Sequence, residues 1–179
     1  MGIGFKADDH EVLLIGYDDS GHLGQSLWLR EIIGREDGRP PPVDLEAERK
    51  AGEFVRELAV TGKLNAVHDI SDGGLLVALS EMALASDIGA NLSLNPSPNQ
   101  TAAAFGENQG RYLVATDYHD PDEIVWLAEQ RGLCASRVAR TGGQDIRIAS
   151  EVAGYLDIVI PLADLRAANE RFFRKWMET

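Results

Sequence analysis

The chain has 179 residues, 29 acidic against 17 basic, for a formal charge of −12, with 44% hydrophobic and 26% charged residues. That composition supports one sizeable core, which makes a single domain over residues 1–179 the expectation and excludes a disordered chain. There is no basic stripe for nucleic acid, no apolar run near the roughly 18 residues that span a bilayer, and no export signal in "MGIGFKADDHEVLLIG". The expectations are therefore no nucleic acid, no membrane and a cytoplasmic protein.

In chain order, "EVLLIGY" (residues 11–17) is β-compatible and runs into the turn-rich "DDSGHLGQS", where Asp19 or Ser20 would form the turn and His22 would face solvent. Helical spacing then groups Leu27, Ile32 and Ile33 until "GREDGRPPP" stops the helix. Asp44 is placed to cap a helix whose stripe is Leu45, Ala51, Phe54, Val55 and Leu58, ending at Gly62. "NAVHDI" (residues 65–70) reads as a short strand, and "GLLVALSEMALAS" as a helix apolar nearly all round and so largely buried. "ANLSL" (residues 90–94) alternates as a strand, "NPSPNQT" reads as loop, and "RYLVAT" (residues 111–116) is a further strand. "DPDEIVWLAEQRG" forms a short helix with Pro121 in its first turn.

Cys134, the one cysteine, excludes an internal disulfide and a multi-cysteine zinc site and suits a reducing compartment. Within "LCASRVA" it reads as a buried packing residue. "CASRVAR" and "DIRIA" flank "TGGQ" as a hairpin would, "YLDIVIP" (residues 155–161) is another strand, and Leu162, Leu165, Phe172, Phe173 and Trp176 mark a C-terminal helix. Strands alternate with helices but a hairpin intrudes. The expected class is α+β, a mixed β-sheet with helices packed against it.

Three stretches could carry chemistry. In "HDISDGG", Ser71 or Asp72 could cap the following helix, while Gly73 and Gly74 permit positive φ and close approach of another group. The same N–H groups would favour a phosphate, Asp69 and Asp72 could instead face a magnesium ion, and the plainest reading makes Asp72 the cap and His68 a hydrogen-bonded neighbour. Gly24, Gln25 and Ser26 in "DSGHLGQS" loosely resemble a phosphate loop, though neither G-x-G-x-x-G nor a Walker A sequence is present. Glu107, Asn108, Gln109 and Arg111 in "FGENQGRYLVA" could bind a ligand's hydroxyls or phosphate at a strand edge, or simply end a sheet. No nucleophile triad, H-E-x-x-H helix or cysteine-rich metal pattern occurs, so no catalytic residue is assigned.

The phrase "AVHDISDGGLLVALSEMALASDIGANLSL" (residues 66–94) closely resembles the C-terminal domain of formylglycinamidine ribonucleotide synthases, within the AIR synthase-related superfamily. "IGFKADDHEVLLIG", "LGQSLWLREIIG" and "FGENQGRYLVA" follow in matching order, so the resemblance covers essentially the whole chain. It implies the AIR synthase C-terminal-like fold and one piece of an ATP-dependent ligase. That ligase joins formylglycinamide ribonucleotide, glutamine-derived ammonia and ATP, with ATP and Mg2+ as the parent's cofactors and none certain for this domain. Its implied partners are the preceding domains of the parent and the glutaminase (PurQ) and small (PurS) subunits. The family's catalytic histidine, most ATP contacts and magnesium ligands lie in those preceding domains, which implies a domain inactive alone. Residues 107–111 look like the second copy of the family's substrate-contacting E-S-Q-E-R phrase, departing from it at Asn108 and Gly110. The alternatives are a non-catalytic packing and docking module, or the C-terminal domain of another superfamily enzyme.

Overall fold

The computed structural model describes residues 1–16, 22–94, 97–150 and 156–177, with the side chains of residues 150, 156–157 and 172–175 outside the description. Seven strands form one sheet: β1 (Glu11–Gly16), β2 (Ala66–Asp69), β3 (Ala90–Ser93), β4 (Tyr112–Thr116), β5 (Cys134–Thr141), β6 (Asp145–Ser150) and β7 (Leu156–Pro161). Their order is β2-β4-β1-β5-β3-β6-β7. Every pairing is antiparallel except β3 with β6, so the sheet is mixed and the α+β expectation holds.

Alternation along the strands divides the core between the two faces. Val12, Leu113 and Ala115 join Leu75, Leu79, Met82 and Leu162 on one side. Leu13, Ile15 and Val114 join Phe54, Val55, Leu58, Ile124 and Ala128 on the other. Helices α1 (Leu45–Val60) and α4 (Pro121–Glu129) thus cover one face, while α2 (Gly74–Leu84) and α5 (Leu162–Met177) cover its opposite. Asp44 caps α1 by accepting from the N–H groups of Glu46 and Ala47, as its position predicts. Asp120 caps α4 from just ahead of Pro121. A six-residue helix, α3 (Gln100–Phe105), starts inside the stretch expected to be loop, where the Asn99 side chain accepts from Ala102 N.

Five expectations are corrected. β5 and β6 are not a hairpin: β3 lies between them, antiparallel to β5 and parallel to β6. Burial drives this, because β3 carries Ala90 and Leu92 into the core and needs a strand on each side. The "TGGQ" turn therefore crosses the start of β3, exchanging hydrogen bonds between Gly89 N and Gly143 O and between Gly142 N and Gly89 O, each 2.8 Å. A Cβ on Gly89 would lie 2.2 Å from Asp145 O, so only glycine fits at that crossing.

Cys134 is exposed at the first position of β5, before the strand turns inward at Val138. His22 is half-buried and its Nδ1 is enclosed without a hydrogen-bond partner, rather than facing solvent. The segment after it forms only a short π-helical turn, Leu29–Ile33, on which Ile32 and Ile33 are exposed instead of packed with Leu27. Leu45, expected in the α1 stripe, is likewise exposed, while Ala51, Phe54, Val55 and Leu58 are buried. Asp19, Ser20, Tyr155, Phe172 and Phe173, named in the sequence-based expectations, lie outside the residues or side chains described.

A polar cluster fastens β4 to α4. Lys63 Nζ lies 3.1 Å from Glu123 and 3.7 Å from the Tyr118 ring centre, and the Tyr118 hydroxyl donates to the same Glu123 carboxylate. Those two donors, Tyr118 first, hold the Glu123 carboxyl below its ordinary value, while Tyr118 and then Glu123 raise Lys63. The carboxylate therefore adds stability above its unfolded value, and that contribution is lost as pH falls through the lower folded one. Glu123→Gln is expected to lower stability modestly at neutral pH and to converge with the wild type towards pH 3, flattening the acid limb of the stability–pH profile measured by urea unfolding.

Candidate functional site

The three stretches singled out in the sequence come together, and they do so by bonding to one another. Residues 106–111 form the turn between α3 and β4. Glu107 reaches out of that turn, and one oxygen, Oε1, accepts from Gly73 N at 2.7 Å and from Leu27 N at 2.8 Å. Gly73 is the N-cap of α2 at φ 81° and has no side-chain cap within its own loop, while Leu27 opens the short helix after Ser26. A carboxylate from 34 residues downstream thus meets the positive end of α2.

Asp72 does not cap α2, contrary to the sequence expectation, because Gly73 at positive φ turns the chain so that the Glu107 carboxylate takes that place. Asp72 and Ser71 are exposed, and the pKa of the Arg30 guanidinium is raised first by its hydrogen bond to Glu31 and least by the charge of Asp72. The close approach that Gly74 permits is taken by the chain itself. At φ 72°, a Cβ on Gly74 would lie 2.6 Å from Phe105 C and 2.7 Å from Gly106 O. Gly106 in turn abuts His22 O, which links the turn to the "GHLGQS" segment.

Arg111 is only 3% exposed, and its guanidinium donates to Gly106 O and to Asn108 O, folding the turn around itself. Ser26 is buried and its hydroxyl donates to Leu23 O at 2.7 Å, closing the small loop that contains Gly24 and Gln25. Gln25 is exposed and its side chain donates to Gly38 O. His68, on β2, bridges outward to Glu81 of α2 at 2.8 Å and to Asp69 at 3.4 Å.

Asn108 and Gln109 line a cavity of about 240 Å³, together with Pro42, Val43, Ala47, Glu48 and Gly110. Pro42, Val43 and Ala47 are not legible as lining residues from sequence, because nothing local distinguishes them from a loop and a helix start. Beyond Glu48 a groove continues along α1 past Gly52 and Arg56 to Tyr112, whose phenol is pushed up by burial and, to a lesser degree, by Glu48 and Asp69.

The resemblance implies ATP and magnesium for the parent, and the donors here can be tested against both. Among the described residues no three His, Cys, Asp or Glu side chains gather as a metal ion requires. The N–H groups that would receive a phosphate already face Glu107. A second anion about 4 Å from that carboxylate would meet roughly 4 kcal/mol of repulsion at the effective dielectric near a protein surface. The Ser71–Gly74 loop does not fit a magnesium-triphosphate.

A mixed sheet flanked by helices, with its "HDISDGG" loop tied to the turn before β4, defines the class of this chain. Residues 8–149 match the family described as AIR synthase related protein, C-terminal domain, and the chain belongs to that family. Within it, the chain is similar to phosphoribosylformylglycinamidine synthase subunit PurL. The subunit of Novosphingobium aromaticivorans is 49% identical over 98% of this chain and 21% of its own length. That of Parvibaculum lavamentivorans is 44% identical over 98% of this chain and 23% of its own. The chain therefore spans less than a quarter of the curated relatives it matches.

Among solved structures, PurL of Thermotoga maritima complexed with FGAR superposes with a TM-score of 0.74 over 90% of this chain and 28% of that one, at 19% identity. The hydrogenase maturation protein HypE of E. coli gives 0.57 over 87% of this chain and 50% of that one, at 17% identity. Both share the fold.

Proposed function

We propose that this chain is the C-terminal domain, residues 1–179, of a longer PurL-type subunit. In that setting it supports the ATP-dependent ligation of glutamine-derived ammonia to formylglycinamide ribonucleotide in purine biosynthesis, and it is inactive alone. The observation that carries the proposal is the pairing of identity and coverage: 44–49% identity over 98% of this chain, yet only 21–23% of the relatives. The parent would use ATP and Mg2+ in its other domains. Its partners would be those domains and the glutaminase (PurQ) and small (PurS) subunits, in line with the related structure of PurLQS from Thermotoga maritima. The cytoplasm is the proposed location, and among the described residues no helix is long and apolar enough to cross a membrane.

The role of the domain on this reading is packing. Glu107 and Arg111 are committed to holding the chain together, so the candidate ligand residues of this turn narrow to Asn108 and Gln109 beside the cavity at Pro42. Assay with formylglycinamide ribonucleotide, ATP, magnesium and ammonia is expected to give no turnover from the isolated chain. Turnover is expected from the full parent and lost when this segment is deleted. Appreciable turnover by the isolated chain, or full activity after deletion, would overturn the proposal.

A further inference from the structure

We propose that Glu107 is a built-in anion: its carboxylate holds the seat a phosphate would take at Gly73 and Leu27, and so closes the Ser71–Gly74 loop of this chain to phosphate. The inference stands on this chain's geometry and holds whatever the parent enzyme catalyses.

Three observations carry it. A single carboxylate oxygen receives both N–H groups, at 2.7 and 2.8 Å, so the donors converge on one point as they would on a phosphate oxygen. The carboxylate is delivered by a turn that is itself pinned, since buried Arg111 holds the carbonyls of Gly106 and Asn108 on either side of Glu107. The floor beside it is closed, because Phe105 and Gly106 lie against Gly74 with no room for even a methyl group. An anion arriving from outside would have to expel a charged side chain that its own backbone holds in place.

One set of groups thus looks like a ligand site in the sequence and works as an internal bond in the fold. The glycines and the acidic residue that suggest phosphate chemistry satisfy each other.

The test follows the backbone N–H signals of Gly73 and Leu27 by NMR, with inorganic phosphate as the probe at constant ionic strength. In the wild-type chain both signals are expected to stay fixed up to about 50 mM phosphate. In Glu107→Ala they are expected to move saturably, while the variant melts about 5 °C or more below wild type and regains part of that loss in phosphate or formate. Glu107→Gln, which keeps an acceptor oxygen, is expected to fold, to shift both signals together and to ignore phosphate. Saturable phosphate shifts at Gly73 and Leu27 in the wild type would overturn the proposal. So would a folded Glu107→Ala whose two signals ignore phosphate. Should Glu107→Ala fail to fold, the wild-type titration and the joint shift in Glu107→Gln decide: independent behaviour of the two signals in Glu107→Gln overturns the shared oxygen.

Discussion

Arg111→Ala is expected to destabilise the chain by about 4 kcal/mol, the largest single-residue effect outside the apolar core. Arg111 is 3% exposed and its guanidinium donates to Gly106 O and Asn108 O. Truncation removes its packing, roughly 2–5 kcal/mol for a large buried side chain, and leaves carbonyls that each cost about 1–3 kcal/mol when buried without a donor. Partial relaxation of the turn toward solvent keeps the total below the sum. Arg111→Lys is expected to recover only part of the loss, because an ammonium cannot reach two carbonyls with a planar fork. Urea unfolding measures both. The specific signature is faster proteolysis of the 106–110 turn in Arg111→Ala, and full recovery in Arg111→Lys would show that the fork geometry contributes nothing.

Gly74→Ala is expected to cost about 3 kcal/mol. An alanine at φ 72° carries roughly 1–2 kcal/mol of backbone strain, and its Cβ would sit 2.6 Å from Phe105 C, a backbone atom that moves only if α3 moves. The corresponding fall in melting temperature is about 6–12 °C for a chain of this size. Gly73→Ala is a useful contrast. It also has positive φ, at 81°, but its Cβ would meet the side chain of Val77, Cγ2 at 2.4 Å and Cβ at 2.9 Å, rather than another segment's backbone. A cost above the strain alone, because a helical valine is stiff, but below that of Gly74→Ala is expected there. Thermal melts of the two variants separate steric closure from backbone strain, and equal losses would remove the closure from the account.

Much of this architecture was legible in local chemistry. Asp44 and Pro121 announced helix starts, the first because a short acceptor side chain ahead of an amphipathic run caps it, the second because its fixed φ suits a first turn. The α+β class followed from alternating apolar strands interleaved with helices. The order of strands was not legible: "TGGQ" between two β-compatible runs is what a hairpin looks like, and only the need to bury Ala90 and Leu92 puts β3 between them. Cys134 misled because the alternation of β5 begins to bury residues only further along the strand. α3 was missed because six residues carry no periodicity, and Asn99 stood in a stretch whose prolines pointed to loop.

For the site, the sequence marked the right residues and left their use undecided. Glu107, Gly73 and the segment at Ser26 are far apart in the chain, and nothing local says that they face one another. A carboxylate and a set of N–H groups read separately suggest two halves of a ligand site. Brought to 2.7 Å they are one another's ligand.

The position of β1 has a consequence for how the chain is made. Its neighbours are β4 and β5, which begin at Tyr112 and Cys134, about 100 and 120 residues downstream. On a ribosome, β1 therefore emerges with both edges bare and waits until most of the chain has been synthesised before either partner can arrive. Its apolar sequence, Val-Leu-Leu-Ile, needs shielding during that interval.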